Sequence, residues 1–209
     1  MNKKVILLFS FLLGVFISYG QINRIESSIQ QEASNQLQTY LNLIPVGSET
    51  KYGFKNRSDF QNVKVEKPYQ IYYVGYQDNQ LSFFSNEWRV PLSINGEYIS
   101  LLTVKLNNGK PEVVDFGGNK LAQKIQEFEK LFGNDSCQHV MIRNTYLVQD
   151  FITTNFQSLC HSKNIGEKLM INIDSKQPLY LINEAKPTKL NITLFCQETM
   201  KIININTTK

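Results

Sequence analysis

Two turn signals placed close together dictate most of what this chain can fold into. Asn95-Gly96 is a two-residue sequence that accepts positive φ at both central positions of a tight hairpin turn. Asn107-Asn108-Gly109 repeats the signal. The segments that these turns join, Trp88–Ile94, Tyr98–Leu106 and Glu112–Phe116, are rich in β-branched, aromatic and other apolar residues. Turns this short connect only antiparallel neighbours, so the middle of the chain predicts an antiparallel meander. Pro111 falls where the last of these strands begins, the place where a missing N–H costs least. Upstream, Tyr69–Tyr76 reads as a strand, with a turn at Asp78-Asn79 and a further strand at Leu81–Phe84.

Helical periodicity flanks the meander. Ile25, Ile29, Ala33, Leu37 and Tyr40/Leu41 recur every three or four residues with polar residues between them, and Pro45 ends the pattern. After Gly117-Gly118, Asn119 can cap a helix with the core face Leu121, Ala122, Ile125 and Phe128, stopped by Gly133. Gly47–Lys67 reads as a polar loop interrupted by Tyr52-Gly53-Phe54. His139–Thr154 reads as one bent strand or a hairpin, with shorter strands at Leu169–Ile173, Leu179–Ile182, Lys189–Cys196 and Lys201–Ile205. The expected class is α+β: an antiparallel sheet packed by an N-terminal helix and a second helix near 119–132. The helices are expected on one sheet face, leaving the other partly wet. No repeat or low-complexity linker divides the chain, so 21–209 reads as a single domain, or as one with a smaller C-terminal β lobe from about residue 135.

The first twenty residues have the layout of a secretory signal. Lys3 and Lys4 precede an apolar run from Val5 to Ile17, and Ser18-Tyr19-Gly20 sets small residues at −3 and −1. Cleavage is expected between Gly20 and Gln21. The run is short for a membrane span, and no second long apolar run follows, so no integral membrane segment is expected after signal removal. The mature chain is then exported, periplasmic or secreted. The formal charge is +4, and +2 without Lys3 and Lys4. So small a balance argues against nucleic acid or an anionic membrane surface as partner.

The block from Trp88 to Glu97, Trp-Arg-Val-Pro-Leu-Ser-Ile-Asn-Gly-Glu, with its continuation from Ile99 to Val104, resembles a group of exported bacterial proteins of unknown function. Tyr52-Gly53-Phe54, Pro68 before an aromatic strand, and Tyr146–Phe151 extend the resemblance over roughly Ile44 to Thr154. It implies a cystatin-like or PepSY-like α+β roll. Such folds often inhibit proteases or bind partners, an analogy that carries over no functional residue.

The chemistry-bearing residues are sparse. Export permits a disulfide, and the three cysteines allow three single pairings, each leaving one thiol free. Cys137–Cys160 is the favoured pair, because both lie near the ends of one apolar stretch. Cys196 is in phase with Leu190, Ile192 and Leu194 and reads as a buried thiol. Cys137, His139, Cys160 and His161 are the places where thiol and imidazole approach. A zinc site needs about four converging ligands, and Cys160 and His161, as neighbours on a strand, point to opposite faces. No cofactor is expected, because no phosphate loop, nucleophile elbow or metalloprotease motif is present. Asp150 is the one oddly placed acid, set inside an apolar strand, and Asp115 resembles it.

Aromatic density is the remaining signal. Tyr69, Tyr72, Tyr73 and Tyr76 populate both faces of one strand, near Phe83, Phe84 and Trp88. One face must be core, and the other can present aromatics to a partner. Tyr72, Tyr76 and Trp88 are the candidate binding residues. The expectation is a non-catalytic exported binding domain whose unknown protein partner could be a protease. The alternatives are a Cys/His-dependent hydrolase and a structural cell-envelope component.

Overall fold

The computed structural model describes residues 24–77, 80–132, 139–146 and 149–154, and the short segments 160–161, 169–171, 178–181 and 188–191. Helix α1 covers residues 24–42. Its apolar stripe goes inward as the spacing predicts: Ile29, Ala33 and Leu41 are fully buried, and Ile25, Leu37 and Tyr40 partly so. The amides of Leu43 and Ile44 donate to the carbonyls of Tyr40 and Leu41, each at 3.2 Å, tightening the last turn before Pro45.

The strands are β1 (Lys64–Val65), β2 (Tyr69–Gln77), β3 (Gln80–Ile94), β4 (Glu97–Asn107), β5 (Lys110–Gly117), β6 (His139–Asn144), β7 (Gln149–Thr154), β8 (Cys160–His161), β9 (Leu169–Ile171), β10 (Pro178–Leu181) and β11 (Thr188–Asn191). Among the described residues they form one sheet in the order β11-β10-β7-β6-β2-β3-β4-β5, with β1 and β9 also paired to β3 and β8 paired to β9. The strands beyond residue 139 thus continue the sheet begun by the meander. Both predicted hairpins form. Asn95 and Gly96 have φ of 53° and 79°, and Asn108 and Gly109 have 52° and 77°, the positive pairs that a two-residue turn of matching twist requires. Helix α2 (Asn119–Phe132) follows Gly118, whose carbonyl accepts the first helical bond from Ala122 at 2.9 Å.

Three expectations are corrected. The segments Leu81–Phe84 and Trp88–Ile94 are one continuous strand, β3, because a bulge opposite Ile71–Tyr73 absorbs the irregular middle. The sheet is not wholly antiparallel, since β6 runs parallel to β2. After β5 the chain returns by way of α2 to the free side of β2, and such a crossover allows a parallel neighbour where a tight turn does not. Most importantly, the helices lie on opposite sheet faces. Leu101 belongs to the α2 cluster and its neighbour Leu102 to the α1 cluster, and adjacent strand residues point to opposite sides.

The polar loop expected at Gly47–Lys67 is a packed segment with two short 3-10 helices, Glu49–Tyr52 and Arg57–Asn62. Its aromatics carry it. Tyr52 stacks on Phe116 at 5.3 Å, and Phe54 meets Phe60 edge-on at 5.0 Å, closing the core under the end of α1. Arg57 Nη1 donates to Ile44 O at 3.0 Å and to Glu49 Oε1 at 3.1 Å, tying the segment to the helix end. The free side of β5 is blunted by Pro111 and by a bulge that leaves Val114 as the extra residue.

Gly53 is where backbone geometry is tightest. Its φ is 92°, and a Cβ there would lie 2.0 Å from the carbonyl oxygen of Ile99 on β4. Gly96 has a comparable φ of 79° but nothing within 4 Å of such a Cβ. Gly96→Ala should therefore cost about 1–2 kcal/mol, the left-handed penalty alone. Gly53→Ala should cost clearly more, because the segment must also move away from β4. Equilibrium denaturation of the two variants checks the order.

Candidate functional site

Helix α2 buries Ala122, Ile125 and Phe128 against Tyr69, Ile71, Leu101, Met141 and Ile152. Its own polar groups finish the hairpin beside it: Gln126 Oε1 accepts from the Tyr98 amide at 3.1 Å, and its Nε2 donates to the Gly96 carbonyl. On the same face, strand register places a second set of residues next to that footprint. Arg89 lies between Tyr69 and Thr103, with Asp115 one strand further. Glu87 lies between Ile71 and Lys105, and Tyr73 between Phe84 and Arg143. Asp150 is opposite Arg143.

Most of these groups are satisfied. Arg143 grips Asp150 through two parallel bonds, Nε to Oδ1 and Nη2 to Oδ2, both 2.7 Å. The Tyr73 hydroxyl donates to Glu87, which also faces Lys105 Nζ at 3.6 Å. The Tyr73 and Phe84 rings stack at 5.6 Å and 20°. Phe84 is 43% exposed, so this aromatic pair is open to solvent on one side.

Arg89 is the exception. Its side chain is only 13% exposed, and among the described residues its Nε is buried without an acceptor and its one ion pair is Nη1 to Asp115 Oδ2 at 3.9 Å. Asp115 is itself 70% exposed, so water weakens that pair. Burial, then the neighbouring Arg143, press the Arg89 pKa below the usual arginine value. Asp150 has the reverse effect on Arg143 and holds its pKa up. Two guanidinium groups thus share one face, and among the described residues only Arg143 has a carboxylate within direct hydrogen-bond distance. Tyr73 is pushed up to about 12 by burial and by its bond to Glu87. Under α2, burial and Glu129 likewise raise Tyr69 and Tyr98.

The residues singled out in the sequence fall elsewhere. Tyr72 lies on the opposite face from Tyr73, half buried, with its hydroxyl donating to Gln70 Oε1 at 3.1 Å. Trp88 is corrected from surface to core: it is 2% exposed, in the cluster under α1 with Val90, Leu102 and Val104. The backbone of Tyr76 pairs with Leu81, and its side chain lies outside the described residues. Gly20, Gln21, Cys137 and Cys196 lie outside them too, and with Cys137 the proposed Cys137–Cys160 bridge. Cys160 stands opposite Ile171 on β8, and His139 opposite Thr154 on β6. Among the described residues no group of three or more His, Cys, Asp or Glu is placed to hold a metal ion.

Sequence reasoning counted Tyr73 and Phe84 in the aromatic cluster without choosing them, and passed over Glu87, Arg89 and Arg143 as site residues. The available signal was Asp150, the acid out of place in an apolar strand, whose position now has a reason. Comparison of the chain with family models, with curated proteins and with solved structures finds no match.

Asp150→Ala should destabilise the protein by about 1–3 kcal/mol, the cost of leaving a partly buried charged donor unanswered, read as a lower denaturant midpoint. Alkali gives a second check. An unfolded tyrosine ionises near 10 and folded Tyr73 near 12, so its contribution is complete below pH 10 and is lost as pH rises through 12. Stability should fall across that window, less steeply in Tyr73→Phe than in the wild type.

Proposed function

We propose that the chain is an exported, non-catalytic domain that binds a protein partner through the open part of its α2-side sheet face. The observation that carries this reading is the Tyr73–Phe84 stack. An aromatic pair exposed on one side and ringed by charged residues has the make-up of an interface anchor with a polar rim. Export rests on the signal layout of Met1–Gly20, with Gln21 as the mature N-terminus. Among the described residues no helix is long and apolar enough to cross a membrane. The resemblance of the Trp88–Glu97 block to exported cystatin-like or PepSY-like proteins points the same way by analogy.

A matched pair of positions tests this. Phe84 and Val114 are 43% and 44% exposed, on the α2-side face and on the bulged free edge respectively. A photo-reactive residue replaces each in turn, in the full chain expressed in its own source. Position 84 should yield one discrete protein adduct in envelope or secreted fractions, absent from position 114. Identical adducts from both positions, or none from either, would overturn the reading.

A further inference from the structure

We infer that Arg89 is a receptor for a single carboxylate carried by the partner polypeptide, an acidic side chain or a free C-terminus. The inference rests on the reading of this face as the binding surface and specifies its chemistry. A guanidinium has five N–H donors and no acceptor, and its charge persists at any working pH. Arg89 spends almost none of that capacity inside the protein. Among the described residues its Nε is buried without an acceptor, and its only carboxylate contact is 3.9 Å away on an exposed side chain. Buried charged donors are normally answered within the fold, as Arg143 is by Asp150. The Nη1 end lies towards exposed Asp115, so the fork is approached from solvent on that side.

The neighbours define the anion. Glu87 is engaged by Tyr73 and Lys105, and Asp150 by Arg143, so these ion pairs leave little net charge around Arg89. A monoanion can be received there by displacing Asp115. A phosphate dianion would bring more charge than one guanidinium answers, next to the fixed carboxylate of Glu87. A planar carboxylate also matches the fork, which can bind it through two parallel bonds. The exposed ring of Phe84 lies on the same face two rows away, beyond Glu87, and offers contact to an apolar side chain further along the same partner segment.

The test uses the mature chain and four small probes. N-acetylphenylalanine stands for a C-terminus, N-acetylglutamate amide for an acidic side chain, N-acetylphenylalaninamide is the neutral control, and phenyl phosphate is the dianion. The readout is the NMR signal of the Arg89 Nε–H, assigned by its loss in Arg89→Lys. At least one carboxylate should move that signal saturably, with the better of the two naming the source. Binding should weaken about tenfold in Arg89→Lys, which keeps the charge but loses the fork. Should Arg89→Lys not fold, the amide and phosphate arms on the wild type decide alone. Equal binding of the amide, tighter binding of the phosphate, or no response to either carboxylate would overturn the inference. A partner cross-linked at position 84 that binds Arg89→Lys undiminished would overturn it while leaving the binding reading intact. Carboxylate binding without any cross-linked partner would do the opposite.

Discussion

The pleat of β3 is the constraint on which the rest of the structure depends. Neighbours on a strand face opposite ways, so burying Trp88 under α1 forces Arg89 onto the α2 side. A slip of one residue would exchange them, putting a guanidinium in the apolar cluster and the indole in water. Nothing allows that slip, because β3 is paired along its length with β2, β4, β1 and β9. Arg89 is therefore held in place by backbone pairing and by the packing of Trp88 behind it more than by its long ion pair with Asp115.

The two faces are closed to different degrees for reasons of size. On the α1 side the helix is helped by the 3-10 segments, whose Phe54 and Phe60 extend the core beyond the helix end. On the other side α2 is the one helix among the described residues. Its fourteen residues reach about 21 Å, whereas the fifteen residues of β3 extend about 50 Å. One such helix leaves part of the face uncovered. The residues there are polar and paired in register, apart from the stacked Tyr73 and Phe84 and the unanswered Arg89. That part of the face combines one solvent-exposed aromatic stack with one largely buried guanidinium.

The meander and both helices were legible in the sequence because their signals are local. Asn95-Gly96 and Asn108-Gly109 carry their turn geometry in two residues, and the stripe from Ile25 to Leu41 needs only helical spacing. The side of the sheet that each helix covers was not legible, because it depends on which strands the chain rejoins after α2. The same non-local step hid the site. Arg89 and Asp115, or Tyr73 and Arg143, become neighbours only once β4 separates β3 from β5 and β6 docks beside β2. Tyr72 looked equivalent to Tyr73, and only the placement of the helices distinguishes them. Trp88 resembled a surface aromatic for want of any signal giving its face.

A largely buried guanidinium with so weak a partner should cost the fold stability. The direct test is the unfolding free energy of Arg89→Met, which retains an apolar stem of similar length and removes the unanswered charge. If the guanidinium is held without an adequate partner, Met there raises the denaturation midpoint above that of the wild type, because replacing a buried charge by a packed apolar group removes its desolvation cost. A midpoint lowered by the substitution would mean that Arg89 is a structural residue satisfied within the fold, and would contradict the account.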